Sequence, residues 1–218
     1  MNIAIVTGAS SGLGLEYVRQ ISAKGVLDEI WVIARREERL KQISTIISTP
    51  LKQMALDLTD KEDIEKLAKA LEEEKPNVKL LVNAAGVGKM GEYNQISDQD
   101  VREMFHLNCQ ASVDVTNAVL PFMNAKSNIM VVASSSAFQP LPGFNVYAAS
   151  KAFLLSYSRA LRFELFERKI NVTAVCPYWV KDTEFISIAK RSKNSSAIRH
   201  FPLASCRREV VRCSLCDT

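Results

Sequence analysis

The sequence predicts an α/β fold, a single-domain Rossmann-type doubly wound parallel sheet, and three observations carry that prediction. Short, nearly all-apolar runs rich in β-branched residues alternate with longer stretches of helical periodicity, as expected for parallel strands covered on both faces by crossover helices. The first such run, residues 2–7, leads straight into a glycine-rich turn and then a helix. The length of 218 residues suits one domain of this kind, and no repeat, low-complexity tract or linker divides it. Residues 1–218 are therefore read as one unit.

Strands are expected at 2–7, 29–34, 51–56, 78–83, 127–133 and 170–176, and helices at 13–24, 36–48, 60–74, 98–122 and 148–168. Their alternation implies right-handed βαβ units. Thr59-x-x-Glu62 and Ser97-x-x-Asp100 resemble capping boxes at the starts of the third and fourth helices. The 148–168 helix is apolar over more than one face, with Phe153, Leu154, Leu155, Tyr157, Leu161, Phe163, Leu165 and Phe166. One stripe covers the sheet and the surplus calls for a partner. A homodimer or homotetramer through the 98–122 and 148–168 helices is the expectation, with a C-terminal segment as the other possible cover.

Composition narrows the class. Hydrophobic residues make up 47% and charged residues 24%, near the average for soluble globular chains. A net charge of +4 is too small to argue for nucleic acid, and no apolar run reaches the length of a membrane span. The N-terminus lacks the basic flank and apolar stretch of a signal peptide. Five cysteines, an odd number, point to reduced thiols and a cytoplasmic protein. Cys206, Cys213 and Cys216 form C-x6-C-x2-C without a suitably spaced fourth ligand, so no metal is expected. Residues 181–212 hold eight Lys/Arg against three Asp/Glu, so this stretch carries +5 and the remainder −1. A solvated helix face accounts for it; a basic rim beside a substrate mouth is the sharper reading.

The turn at 7–14 reads TGASSGLG. Gly8 permits the tight exit from the strand, Gly12 lets backbone approach a pyrophosphate, and Gly14 allows close helix packing. The following helix presents unpaired N–H groups and a positive dipole end to the diphosphate of a dinucleotide. The second strand ends in Ala34-Arg35-Arg36. An acid there would hold ribose hydroxyls, whereas arginine accommodates a 2′-phosphate. NADP(H) is therefore preferred over NAD(H).

Tyr147 and Lys151 stand four apart at a helix start and project from one face. Ser134 closes the fifth strand thirteen residues before Tyr147. Hydride delivery to a carbonyl builds negative charge on oxygen, which a positioned acid must neutralise. A phenol is a poor acid–base at neutral pH, and a nearby ammonium is expected to lower its pKa. A hydroxyl such as that of Ser134 can hold the reacting oxygen in place. Ser135 and Ser136 read as ordinary strand-end polar residues.

Taken in order, these features resemble the short-chain dehydrogenase/reductase family over roughly residues 2–212. The matching motifs are TGASSGLG at 7–14, Asp57-Leu58 after the third strand, NAAG at 83–86, then Asn108, Ser134 and YAASK at 147–151. The resemblance implies a small-molecule carbonyl or secondary alcohol as substrate and four catalytic positions, Ser134, Tyr147, Lys151 and Asn108. Lys151 would also bond the nicotinamide ribose, and Asn108 would hold a water linking Lys151 to solvent. Asp57 and Leu58 would line the adenine pocket, while Asn83, Ala84 and Gly86 would brace the sheet near the ribose. The full expected cofactor set is Gly8, Ser10, Ser11, Gly12, Leu13, Gly14, Arg35, Arg36, Asp57, Leu58, Asn83, Ala84, Gly86, Tyr147, Lys151, Pro177, Val180 and Thr183.

The chain departs from the family pattern at two places. After the sixth strand it reads PYWVKDT, so Tyr178 stands where the family has glycine and Thr183 falls one residue late. Family members also usually continue into a last edge strand, which this chain is expected to lack. A substrate lid is expected at about 182–205, with Phe138, Leu141, Phe144, Phe185 and Ile186 forming an apolar pocket. A non-catalytic NADP(H)-binding sensor or scaffold is the alternative function; it would need the glycine turn but not the catalytic set.

Overall fold

Parallel strands alternate with helices along the whole described chain, which in this computed structural model comprises residues 1–178 together with Val180, Phe185 and Ala189. The order is β1 (Asn2–Thr7), α1 (Gly12–Lys24), β2 (Glu29–Ala34), α2 (Glu37–Ile43), β3 (Leu51–Ala55), α3 (Lys61–Glu74) and β4 (Asn77–Asn83). It continues with α4 (Asp98–Phe105), α5 (Ala111–Val119), β5 (Asn128–Val132), α6 (Asn145–Glu164) and β6 (Asn171–Val175). The six strands form one sheet in the order β3-β2-β1-β4-β5-β6, and every neighbouring pair is parallel. The fold is the single α/β domain that the sequence predicts.

Strand order reverses beside β1, which pairs with β2 on one side and β4 on the other. Successive crossovers leave that edge in opposite directions, opening a crevice at the carboxyl ends of the two strands. Side-chain alternation divides the core into two layers. Ile3, Ile5, Trp31, Ile33, Leu81 and Ile129 pack on one face with Leu67, Val115 and Leu154. Ala4, Val6, Val32, Leu80, Val82 and Met130 pack on the other with Tyr17, Val18 and Ile21 of α1. Central strands buried on both faces explain the near-continuous apolar runs. Among the described residues, no helix is long and apolar enough to cross a membrane.

Local chemistry moved three boundaries. The expected 36–48 helix stops at Ile43, where the Ser44 and Thr45 hydroxyls donate to the carbonyls of Lys41 and Gln42 and compete with the helical ladder. The expected 98–122 helix is interrupted by a π-helical turn, His106–Gln110. Its centre is Asn108, whose side chain is held by the main chain of Val87 at 2.8 and 2.9 Å. An inserted residue clamped in this way is a recognised cause of π-bulges. The last long helix begins at Asn145, three residues earlier than expected.

The two capping expectations fared differently. Ser97 caps α4, accepting from the Asp100 amide at 3.1 Å and donating to its carboxylate at 2.8 Å. At α3 the cap is Asp60 rather than Thr59, accepting from the Glu62 amide at 2.9 Å. The Thr59 hydroxyl is drawn back to Asp57 Oδ1 at 2.8 Å, so the carboxylate one residue later takes over the orphaned N–H. The expected lid at 182–205, the three clustered cysteines, the basic stretch and the missing last strand lie outside the described residues, apart from Phe185 and Ala189. For the cap itself, Asp60→Ala is expected to lower unfolding stability by about 1 kcal/mol. A urea midpoint unchanged from the parent would contradict that role.

Candidate active site

The glycine turn works through contact distances. Gly8 has φ +66°, and a Cβ there would stand 2.8 Å from the Cα and N of Ala85. A Cβ on Gly14 would stand 2.2 Å from the Gly8 carbonyl oxygen. The close partner of Gly14 is therefore the turn itself, at Gly8 and Ala9, rather than the sheet. Thr7 supplies the remaining tie: its hydroxyl accepts from the amides of Ala84 and Ala85 at 3.0 and 3.1 Å. That bond joins the carboxyl ends of β1 and β4 across the switch point. Sequence reasoning quoted Thr7 only as part of a motif and missed this function.

Helix α1 starts from Ser11, whose backbone is extended and whose side chain makes no cap bond; no acid stands in the first turn. No capping side chain or first-turn acid thus offsets the positive end of α1, and the turn fits an anionic diphosphate. A cavity of about 590 Å³ runs from this turn to Tyr147. Gly8, Ser10, Ser11, Gly12, Leu13, Gly14, Arg35, Arg36, Leu58, Ala84, Gly86, Tyr147, Lys151, Pro177 and Val180 all line it, with Ser134 at the far end.

Three expected residues, Asp57, Asn83 and Asn108, do not line the cavity. Asp57 accepts from the amide and hydroxyl of Thr59. Asn83 is buried and donates to the Thr116 hydroxyl at 2.9 Å. Asn108 is fully buried. Thr183 and Ile186 lie outside the described residues. Of the expected apolar pocket, Leu141, Phe144 and Phe185 line the cavity, joined by Met90, Pro142 and Tyr178. Phe138 instead projects into solvent.

At the far end, Ser134 caps a 3-10 turn, Ser135–Phe138, accepting from the Ser136 amide at 3.2 Å. Lys151 is buried and donates to the Val132 carbonyl at 2.8 Å. Its ammonium stands 5.7 Å from the centroid of the Tyr147 ring. A Cβ on Gly86 would lie 3.1 Å from Asn108 Oδ1 and 3.4 Å from Lys151 Nζ, so a glycine suits the gap between them. Asn108 also donates to the Ser150 hydroxyl at 2.9 Å, and that hydroxyl donates to the Tyr147 carbonyl at 2.7 Å. Ser150, another residue that the sequence did not single out, thus fastens α6 to the π turn.

Burial governs the electrostatics. Desolvation pushes the Tyr147 phenol up to about 12, against which only the hydrogen bond with Ser134 acts. The expected lowering by Lys151 is not what the structure shows. The ammonium is itself desolvated, brought down to about 8 with the Cys109 and Cys176 thiols acting the other way. Phe144 explains much of the burial. Its ring stacks on Tyr147 with centroids 4.2 Å apart and planes at 20°, and Phe185 tilts against the same Tyr147 ring at 5.3 Å. Gly88 makes room for both: a Cβ there would meet Phe185 at 2.6 Å and Phe144 at 3.0 Å.

A protonated phenol and a buried ammonium, set at the end of a phosphate-binding cleft, can move a proton beside a dinucleotide, which is the chemistry of oxidoreductases. The chain belongs to the short-chain dehydrogenase/reductase family: a family model described as short chain dehydrogenase matches residues 2–194. An uncharacterized oxidoreductase of Staphylococcus epidermidis is 30% identical over 195 residues, covering 88% of this chain and 84% of its relative. The NADP-dependent 3-hydroxy acid dehydrogenase YdfG of Escherichia coli K12 is 31% identical over 198 residues, 89% of this chain and 79% of that protein. Among solved structures, a short-chain dehydrogenase from Sphingobium yanoikuyae in complex with NADPH superposes with a TM-score of 0.78 at 27% identity. That match covers 87% of this chain and 75% of the other.

The buried Lys151 also has a stability consequence. Its folded pKa of about 8 lies below the ordinary 10.5, so below about pH 8 the folded state carries a charge it disfavours. That cost is relieved as pH rises from about 8 to about 10.5. Lys151→Met, similar in volume and apolar, is expected to raise the melting temperature at pH 7, by a margin that shrinks toward pH 10. A lower melting temperature at pH 7 would count against this account.

Proposed function

We propose that the protein is an NADP(H)-preferring oxidoreductase that interconverts a small-molecule carbonyl and a secondary alcohol. One observation carries the reading: a single cavity has Arg35 and Arg36 in its wall beside the glycine turn and Ser134, Tyr147 and Lys151 at its other end. The NADP-dependent relative and the NADPH-bound structural neighbour support the same cofactor. The dinucleotide, when bound, supplies or accepts the hydride.

The chain's own residues do the rest. Gly8, Ser10, Ser11, Gly12, Leu13 and Gly14 receive the diphosphate, and Arg35 with Arg36 meets the 2′-phosphate. Leu58, Ala84, Gly86, Pro177 and Val180 shape the remaining wall, with Asp57 beside Arg35 and Asn83 buried in the sheet behind. Ser134 holds the substrate oxygen by a hydrogen bond. Tyr147, kept protonated by its burial, donates the phenolic proton to that oxygen in the reduction direction. Lys151 bonds the ribose and stabilises the phenolate that forms. The Asn108 side chain is engaged with Val87 and Ser150. A role for Asn108 in holding a water between Lys151 and solvent rests on the family resemblance.

Met90, Leu141, Pro142, Phe144 and Phe185 favour an apolar substituent on the substrate. Phe105, Phe153, Phe163 and Phe166 are exposed on α4, on α6 and just beyond it, which supports a homodimer or homotetramer built on these helices. Cys109 and Cys176, the described cysteines, are free thiols, which supports a cytoplasmic setting.

Two measurements test the reading. Tyr147→Phe is expected to abolish turnover across a carbonyl panel while NADPH affinity stays within about twofold of the parent; residual activity above a few per cent would refute the acid role. Lys151 is an ammonium below its pKa and neutral above it. The kcat/KM for carbonyl reduction is therefore expected to fall as pH rises through about 8. A flat profile to pH 10 would remove Lys151 from the titrating machinery.

A further inference from the structure

Behind the arginine pair lies a charge network that no motif announces. Glu103, on α4, divides its carboxylate between two cations. Oε2 stands 3.3 Å from Lys89 Nζ, and Oε1 stands 3.9 Å from the Arg35 guanidinium. Lys89, in the loop after β4, also holds Asp100 at 2.9 Å, one helical turn before Glu103. Arg35 meets a second carboxylate, Asp57, at 4.0 Å. The guanidinium in the cavity wall is thus already surrounded by acids from α4 and from the end of β3.

We propose that Glu103 sets how strongly this protein discriminates NADP(H) from NAD(H), acting through Arg35. The proposal rests on the NADP(H) reading above. At 3.9 Å the contact is too long for a directional hydrogen bond, so Glu103 does little to fix the arginine's rotamer. What remains is Coulombic. A carboxylate beside Arg35 weakens the local positive potential felt by a 2′-phosphate, which carries close to two negative charges, and is nearly indifferent to a pair of neutral ribose hydroxyls. The sign follows: removing the Glu103 charge strengthens NADPH binding and leaves NADH binding alone.

The size follows from exposure. Arg35 is 57% and Glu103 30% solvent-accessible, and ion pairs so placed are worth a factor of a few at most. Lys89 also draws on the same carboxylate, which moderates the effect further. Glu103 is a better probe than Asp57, because the Asp57 carboxylate also accepts both Thr59 bonds and shapes the loop into α3. Glu103 is a positioning residue: it does not line the cavity.

Direct binding by nucleotide fluorescence, with NADPH and NADH titrated separately, tests the proposal on the parent, Glu103→Gln, Arg35→Ala and the double variant. Glu103→Gln is expected to tighten NADPH about threefold at low salt, to leave NADH within experimental error, and to lose the difference at high ionic strength. In the Arg35→Ala background the same change is expected to have no effect on NADPH. Glu103→Asp, which draws the charge back from Arg35, is expected to fall between parent and Gln and serves if the Gln variant folds poorly. Weaker NADPH binding, an equal shift for both nucleotides, or an effect that survives Arg35→Ala would overturn the role of Glu103. If Arg35→Ala binds NADPH as the parent does, it is the NADP(H) reading itself that fails.

Discussion

The structure depends on backbone meeting backbone at the switch point of the sheet, with no side chain between. β1 and β4 end side by side, and the chain leaving β1 must turn within van der Waals reach of the chain leaving β4. Gly8 allows that approach, since a Cβ would overlap the main chain of Ala85. Thr7 reinforces it with two hydrogen bonds to the same segment. Gly14 then brings the first turn of α1 down on Gly8. Because the Gly8 and Gly14 contacts are main-chain contacts, they cannot relax by a rotamer change. The position of the helix dipole, the width of the cleft and the path of the loop carrying Gly86 and Gly88 all follow from them.

That loop connects the phosphate end to the proton-transfer end. Val87 clamps Asn108 into the π turn, Gly86 leaves room beside Lys151, and Gly88 admits the rings of Phe144 and Phe185. The consequence is that Tyr147 and Lys151 are both buried. Burial raises the phenol pKa and lowers that of the ammonium, so the phenol stays protonated while the lysine titrates closer to neutral pH. A solvent-exposed tyrosine with the same neighbours would lack that asymmetry. Phe144, stacked on the phenol, is therefore as much a part of the electrostatics as Lys151.

The phosphate end is governed differently, by exposed charge. Arg35 lies in water within reach of Asp57 and Glu103, where screening reduces each pair to a modest effect. In the proposed function, cofactor choice would thus rest on several weak, adjustable interactions, and proton transfer on a few buried and geometrically fixed ones. The fold that holds both ends is shared with a short-chain dehydrogenase solved in complex with NADPH.

The amino-acid order alone determined the parallel sheet, its six strands, the glycine turn and the Ser134–Tyr147–Lys151 grouping. Those features are legible because they are local or periodic: fully apolar strands, glycines at fixed offsets, two side chains on one helical face. The tertiary structure decided whatever depends on contacts between distant segments. Asn108 looked like a residue inside one long helix, and only its bonds to Val87 and Ser150 revealed the π turn. Thr59 looked like a cap until Asp57 took its hydroxyl and left the N–H to Asp60. An ammonium four residues from a phenol was expected to lower its pKa. Burial by Phe144 and Phe185, separated along the chain by some forty residues, reversed that shift. Sequence spacing specifies which groups share a face, but desolvation depends on what covers them, and that is settled only when the whole chain has packed.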